Sequence, residues 1–119
     1  MKGSVPEPPP VPKGQVVPEK LIQTILNMKE YSTNPEVTDQ LDRLVHLVNE
    51  RNAFGMAKYG QPLYSEDGRN GIEDARQELG DLLQYAQKIK MQKGNDPEAV
   101  LEFLKLVKTG LVVINYIFS

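Results

Sequence analysis

Asp74, Glu78 and Asp81 stand four and then three residues apart. On a helix that spacing puts the three carboxylates on one face. The face lies beside an apolar stripe of Ile72, Ala75, Leu79, Leu82, Ala86 and Ile89, not opposite it. Like charges so spaced repel each other weakly, so an acidic cluster at the edge of a core calls for cations. One candidate is Mg²⁺, with Mn²⁺ as a substitute: a hard ion that takes oxygen ligands and leaves positions for substrate phosphates. Salt bridges to Arg51 or Lys58, or plain solvation, would balance the charge as well. Acidic faces are common on helices, and spacing alone favours these simpler accounts.

A complementary set lies upstream. Glu50, Arg51 and Lys58 fall near the end of the preceding helical stretch, and Arg51 and Lys58 share a face at a separation of seven. A basic pair beside a metal-bearing acidic face suits phosphate-ester chemistry. The metal bridges phosphate oxygens and lowers the pKa of a bound water, and the cations neutralise developing charge. His46 is the only histidine and sits between Val45 and Leu47 on an amphipathic stretch, where packing or surface is the usual role. No Ser/His/Asp or Cys/His arrangement can be assembled, and neither a P-loop nor Gly-x-Gly-x-x-Gly occurs.

Four helices are expected to position these residues. The first starts at Pro18, a good first-turn residue, and carries Leu21, Ile22, Ile25 and Leu26 until Ser32-Thr33-Asn34-Pro35 breaks it. The second runs from Pro35 or Thr38 to Tyr59, with Val37, Leu41, Leu44, Val45 and Val48 at helical spacing. Gly60 follows where a left-handed C-cap is wanted. Gly55 inside this helix costs about 1 kcal/mol against alanine and predicts a close helix contact or a kink. Gly60 to Asn70 reads as a polar loop with a turn at Asp67-Gly68. The third helix runs from Gly71 to Gln92, capped by Asn70 and ended by Gly94. The fourth has the clearest start: Asp96 as N-cap, Pro97 at the first position and Glu98 in the first turn. From Val100 to Ile114 it is apolar on nearly every side, so it must be buried all round. A chain this short cannot enclose one of its own helices, which implies burial against other copies of itself. The β-branched run Leu111 to Ile117 is also compatible with a strand, but no partner strand offers itself.

The 119 residues make one domain with a modest core. A net charge of -2 gives no basic footprint, which disfavours a dedicated nucleic-acid binder. The absence of cysteine excludes disulfides and thiolate metal sites and fits a reducing compartment. No signal peptide opens the chain. The apolar run from Leu111 falls far short of the ~20 residues that span a bilayer, so a cytoplasmic protein without membrane partners is expected. Residues 1–17 hold five of the nine prolines, in the run Pro6-Glu7-Pro8-Pro9-Pro10-Val11-Pro12, and should be extended. This arm reads as a free tail, a strap across a neighbouring subunit, or a ligand for a proline-recognising domain. The helical domain is then 18–119.

The string Lys58-Tyr59-Gly60-x-x-Leu63, Asp67-Gly68-Arg69 and Asp74-Ala75-x-x-Glu78-Leu79-x-Asp81-Leu82-x-x-Tyr85 resembles small phage-type proteins grouped with the MazG-like, all-α NTP pyrophosphohydrolases. The similarity covers about Leu41 to Ile89. In that family a helical hairpin carries Glu-Glu-x-x-Glu on its first helix and Glu-x-x-Asp on its second. The acids bind Mg²⁺, and water attacks the α-phosphate of a nucleoside triphosphate to leave a monophosphate and pyrophosphate. Members form dimers, or tetramers built from them. The resemblance implies an all-α, four-helix MazG-like hairpin bundle completed by oligomerisation, in the host cytoplasm if phage-encoded. Glu78-Leu79-Gly80-Asp81 matches the second motif. Of the first, only Glu50 is matched, with Arg51 and Ala53 at the other acidic positions. The implied catalytic residues are Glu50, Glu78 and Asp81, and the implied metal ligands are these three with Asp74. Arg51, Lys58 and Arg69 would hold phosphates, and Tyr59 or Tyr85 would stack on the base. Two other readings compete: a nucleotide-binding or sequestering protein that has lost catalysis with its first acidic motif, and an oligomeric helical scaffold that presents the proline-rich arm to a partner.

Overall fold

A computed structural model describes residues 8–119, and Pro6 and Glu7 of the proline run lie outside them. The described residues form four helices: α1 (Val17–Tyr31), α2 (Pro35–Tyr59), α3 (Gly71–Lys93) and α4 (Pro97–Ile117). Local chemistry sets most of the ends. Proline occupies the first turn of α1, α2 and α4, where its missing N–H costs no helical bond. Asn34 Oδ1 accepts from the Glu36 N–H at 2.9 Å, which settles the start of α2 at Pro35 and not at Thr38. Asn70 Oδ1 accepts from Ile72 and Glu73 at 3.0 and 3.1 Å, and Asp96 Oδ1 from Glu98 at 3.2 Å. Gly60 ends α2 at φ 73°, in the left-handed region, with its N–H on the Met56 carbonyl. The Leu111 to Ile117 run is helical throughout. No helix among the described residues is long and apolar enough to cross a membrane.

The core is small. Ile25 of α1, Leu41 and Leu44 of α2 and Val113 of α4 are buried, with Leu21, Met28, Val45 and Val48 packed around them. Each such side chain contributes roughly 1.5–3 kcal/mol by leaving water. Lys29 of α1 pairs with Asp42 of α2, and Lys105 of α4 reaches Glu36 of α2 at 2.9 Å. These pairs are largely solvated and add little. α1 packs on α2, α2 on α4, and α4 on α3. The extensive α2–α3 pairing that a hairpin implies is not among these contacts. α3 buries no residue at all: Ile72 and Leu79 of its expected stripe are exposed, as is Leu83. On α4, Leu101, Leu104, Leu111 and Ile114 are likewise uncovered in the single chain.

The described part of the arm does not hang free. It is extended and runs antiparallel along the loop between α2 and α3 of the same chain, with a bridge between Val16 and Tyr64. Val11 N–H donates to the Asp67 carbonyl at 3.0 Å and Val17 N–H to the Leu63 carbonyl at 2.8 Å. In return Glu66 N–H donates to Lys13 O at 3.0 Å and Ser65 N–H to Gln15 O at 2.8 Å. Gln15 N–H adds a bond to Ser65 Oγ at 2.9 Å. Gly14, at φ 93°, is what lets the two backbones meet, since a Cβ there would lie 2.3 Å from Ser65 Oγ and 3.0 Å from Glu66 N. Of the free tail, the strap across a neighbour and the proline-motif ligand, the described residues correspond to a strap, but one laid on the chain's own loop. It also extends α1 by one residue, because Val17 N–H finds its acceptor in Leu63 and needs no side-chain cap.

Candidate functional site

Strapping the arm onto the loop encloses a pocket of about 420 Å³ between the arm, α1, α2 and the loop. Pro10, Val17, Pro18 and Leu21 line one side. Val48, Arg51, Asn52, Gly55 and Tyr59 line the other, at the spacing that puts them on one face of α2. Gly55 does not make the close helix contact its position suggested. A Cβ added there meets no atom within 4 Å outside its own helix backbone, and its bareness widens the hollow. The loop supplies Gln61, Pro62, Leu63, Asp67 and Arg69. The result is a mainly apolar hollow with a few polar groups, the ordinary composition of a small-molecule site.

The polar groups come from both ends of the chain segment 51–69. The Arg51 guanidinium lies over the Phe54 ring, 4.6 Å from its centroid, and the Lys58 ammonium lies 5.2 Å from the centre of the Tyr59 ring. The Arg69 guanidinium and then the Lys58 ammonium, each hydrogen-bonded to the Tyr59 phenol, hold its pKa below the ordinary 10.0, against a smaller opposing push from burial. Asp67 is buried, and its Oδ1 accepts the Arg69 N–H at 3.1 Å, which fixes the turn at Asp67-Gly68. Gln61 Nε2 is buried and has no hydrogen-bond partner.

Arg51, Tyr59 and Arg69, expected to bind substrate, meet in this pocket, and Lys58 stands against Tyr59 at its edge. Tyr85 does not join them: it lies on α3, exposed. Glu50 is exposed on α2 and is not part of the pocket wall. Asp74 and Asp81 are half-buried on α3, and Glu78 is exposed. Among the described residues no three His, Cys, Asp or Glu side chains come together in a way that could hold a metal ion. The set Glu50, Asp74, Glu78 and Asp81 is not brought together as one such group among the described residues of a single chain. The physical reason lies in the packing: α2 is spent on α1 and α4, so Glu50 is not brought onto α3.

Sequence reasoning missed Asn52, Gly55, Gln61 and Asp67 as pocket residues. The only signal for Asp67 was its turn with Gly68, and the burial of Gln61 depends on the fold of a loop that has no period. His46 is exposed. No known family model, no curated protein and no solved structure matches the chain.

Proposed function

We propose that this chain binds a nucleotide in the arm-covered pocket, with the ring in the apolar hollow and the phosphates towards Arg51, Lys58 and Arg69. The observation that carries the reading is the meeting of Arg51, Tyr59 and Arg69 in one pocket of about 420 Å³. A volume of that order suits a small organic ligand. Guanidinium groups grip phosphate in a planar fork, and an aromatic ring beside them offers a stacking face.

A second reading, Mg²⁺-dependent release of pyrophosphate from a nucleoside triphosphate, draws on the Asp74, Glu78 and Asp81 face of α3 and on the resemblance. It needs further carboxylates to reach that face. Self-association is the available route, and it is the third part of the proposal. Leu101, Leu104, Leu111 and Ile114 leave α4 apolar and uncovered, as Ile72, Leu79 and Leu83 leave α3. A helix apolar on every side is stable in water only when covered on every side. A second copy meets that need with the same residues.

Equilibrium dialysis with a nucleoside triphosphate panel, read beside pyrophosphate release with Mg²⁺ or Mn²⁺, tests both readings. Saturable binding without release leaves the binding protein. Release that requires metal and vanishes in Glu78→Gln adds the enzyme. Neither binding nor release defeats both and leaves the helical scaffold. For self-association, light scattering should give a multiple of the 13.4 kDa chain mass, reduced to one chain by Leu104→Lys with Leu111→Lys. A wild-type monomer at all concentrations would refute it.

A further inference from the structure

Gln61 is the one residue among those described with a buried side-chain nitrogen or oxygen that lacks a hydrogen-bond partner. The atom is Nε2, a donor, and the residue is part of the pocket wall. A buried donor without an acceptor is costly, and native proteins rarely keep one without a reason. A ligand that supplies the acceptor is such a reason. The terminal torsion of glutamine is soft, and a turn of the amide is what would present the donor to a group in the hollow.

The same wall holds the opposite function. Asp67 is a buried carboxylate, 6% exposed, and when ionised it can only accept. The mainly apolar surroundings make these two groups decisive, because few other polar groups line the hollow to satisfy a mismatched edge. A donor and an acceptor in one wall complement a ring edge that carries an acceptor beside a donor. A lactam, C=O next to ring N–H, is such an edge. Hypoxanthine, guanine, uracil and thymine have it. Adenine and cytosine place an amino group where the oxo group would stand, which sets N–H against the Gln61 N–H.

Resting on the nucleotide-pocket reading, we infer that the pocket selects nucleotides whose base presents a lactam edge, with Gln61 Nε2 donating to the oxo group. Inosine and adenosine triphosphates are the sharpest probes, since their rings differ only along this edge. Uridine and cytidine triphosphates repeat the comparison on a smaller ring.

The experiment measures dissociation constants of these four nucleotides by isothermal titration calorimetry on the full chain, wild type, Gln61→Met and Gln61→Glu. Wild type should bind the inosine nucleotide on the order of tenfold more tightly than the adenosine one, the ratio a single hydrogen bond sustains. The uridine nucleotide should exceed the cytidine one in the same sense. Gln61→Met keeps the side-chain length and removes the donor, so the ratios should fall to near one. Its unliganded melting temperature should not drop, because the deleted group had no partner to lose. Gln61→Glu places an acceptor there and should turn the preference towards the amino bases. Equal binding of the pair by wild type, or a ratio that survives in Gln61→Met, overturns the inference and leaves the nucleotide pocket standing. Failure of all four to bind overturns the pocket reading with it.

Discussion

The two ends of the chain's apolar surface are treated differently. On the side of α1 and α2, Ile25 and Leu41 are almost wholly enclosed, and the arm closes over the pocket beside them. On the side of α3 and α4, leucines of the same size stand in the open: Leu79 is 55% and Leu83 63% exposed. Both regions show apolar residues at helical spacing. What separates them is whether this chain contains a cover. The first region holds the buried core, with Val113 of α4 packed into it, and its pocket can be described from one copy. The second is incomplete, and so is the acidic site that the resemblance assigns to α3. A face can be read from periodicity, but its partner cannot.

The largest expected effect contrasts the regions directly. Leu41→Ala should cost about 2–5 kcal/mol, the range for a large-to-small change in an enclosed core. Leu79→Ala at high dilution should stay within roughly 0.5 kcal/mol, as surface changes do. Urea unfolding of both variants over a concentration series checks this. If the Leu79→Ala cost grows with protein concentration, self-association covers α3. An equal cost for both at high dilution would erase the distinction.

The next effect separates the arm from the body. Gly14→Val would force a side chain into Ser65 and Glu66 at a positive φ that valine avoids. Such strain costs on the order of 1–3 kcal/mol, enough to lift the arm without unfolding the helices. Amide exchange should speed up at Ser65 and Glu66 while Ile25 and Leu41 stay protected. Unchanged protection at Ser65 would mean that the arm holds the loop less than its hydrogen bonds suggest.

The smallest effect is electrostatic and confined to the pocket edge. With five tyrosines and no tryptophan, phenolate absorbance is easily followed. Tyr59 should ionise below the ordinary phenol value, because Arg69 and Lys58 favour its phenolate. Its folded pKa is depressed, so the associated stability is present in full above the ordinary phenol value and is lost as pH falls through the folded one. Arg69→Met should move it back towards the ordinary phenol value. A titration unchanged by that substitution would separate Arg69 from Tyr59.

The helix ends were legible because their causes are local: Asn70, Asp96-Pro97 and Gly60 act within one turn of themselves. Arg51, Tyr59 and Arg69 were legible as a basic and aromatic group, and they do meet. Tyr85 closes the motif string and Glu50 stands for the first acidic motif, but no local rule says which helices pair, and the packing leaves both outside the pocket. Gln61 and Asp67 were illegible for a different reason. Their burial comes from an arm some fifty positions earlier, as the bond from Gln15 to Ser65 illustrates. Gly55 was misread because a bare spot on a helix suits a void as well as a neighbour, and sequence does not tell them apart.

Gly55→Leu separates a nucleotide held in the pocket from one held on the α3 face. An added Cβ at Gly55 meets no neighbour, leucine improves helix propensity, and the position lines the hollow that the larger side chain would fill. Equilibrium dialysis with inosine and adenosine triphosphates should show saturable binding by wild type, loss of it in Gly55→Leu, and its retention in Glu78→Gln. Binding that survives Gly55→Leu and disappears in Glu78→Gln would contradict the account and put the nucleotide on α3.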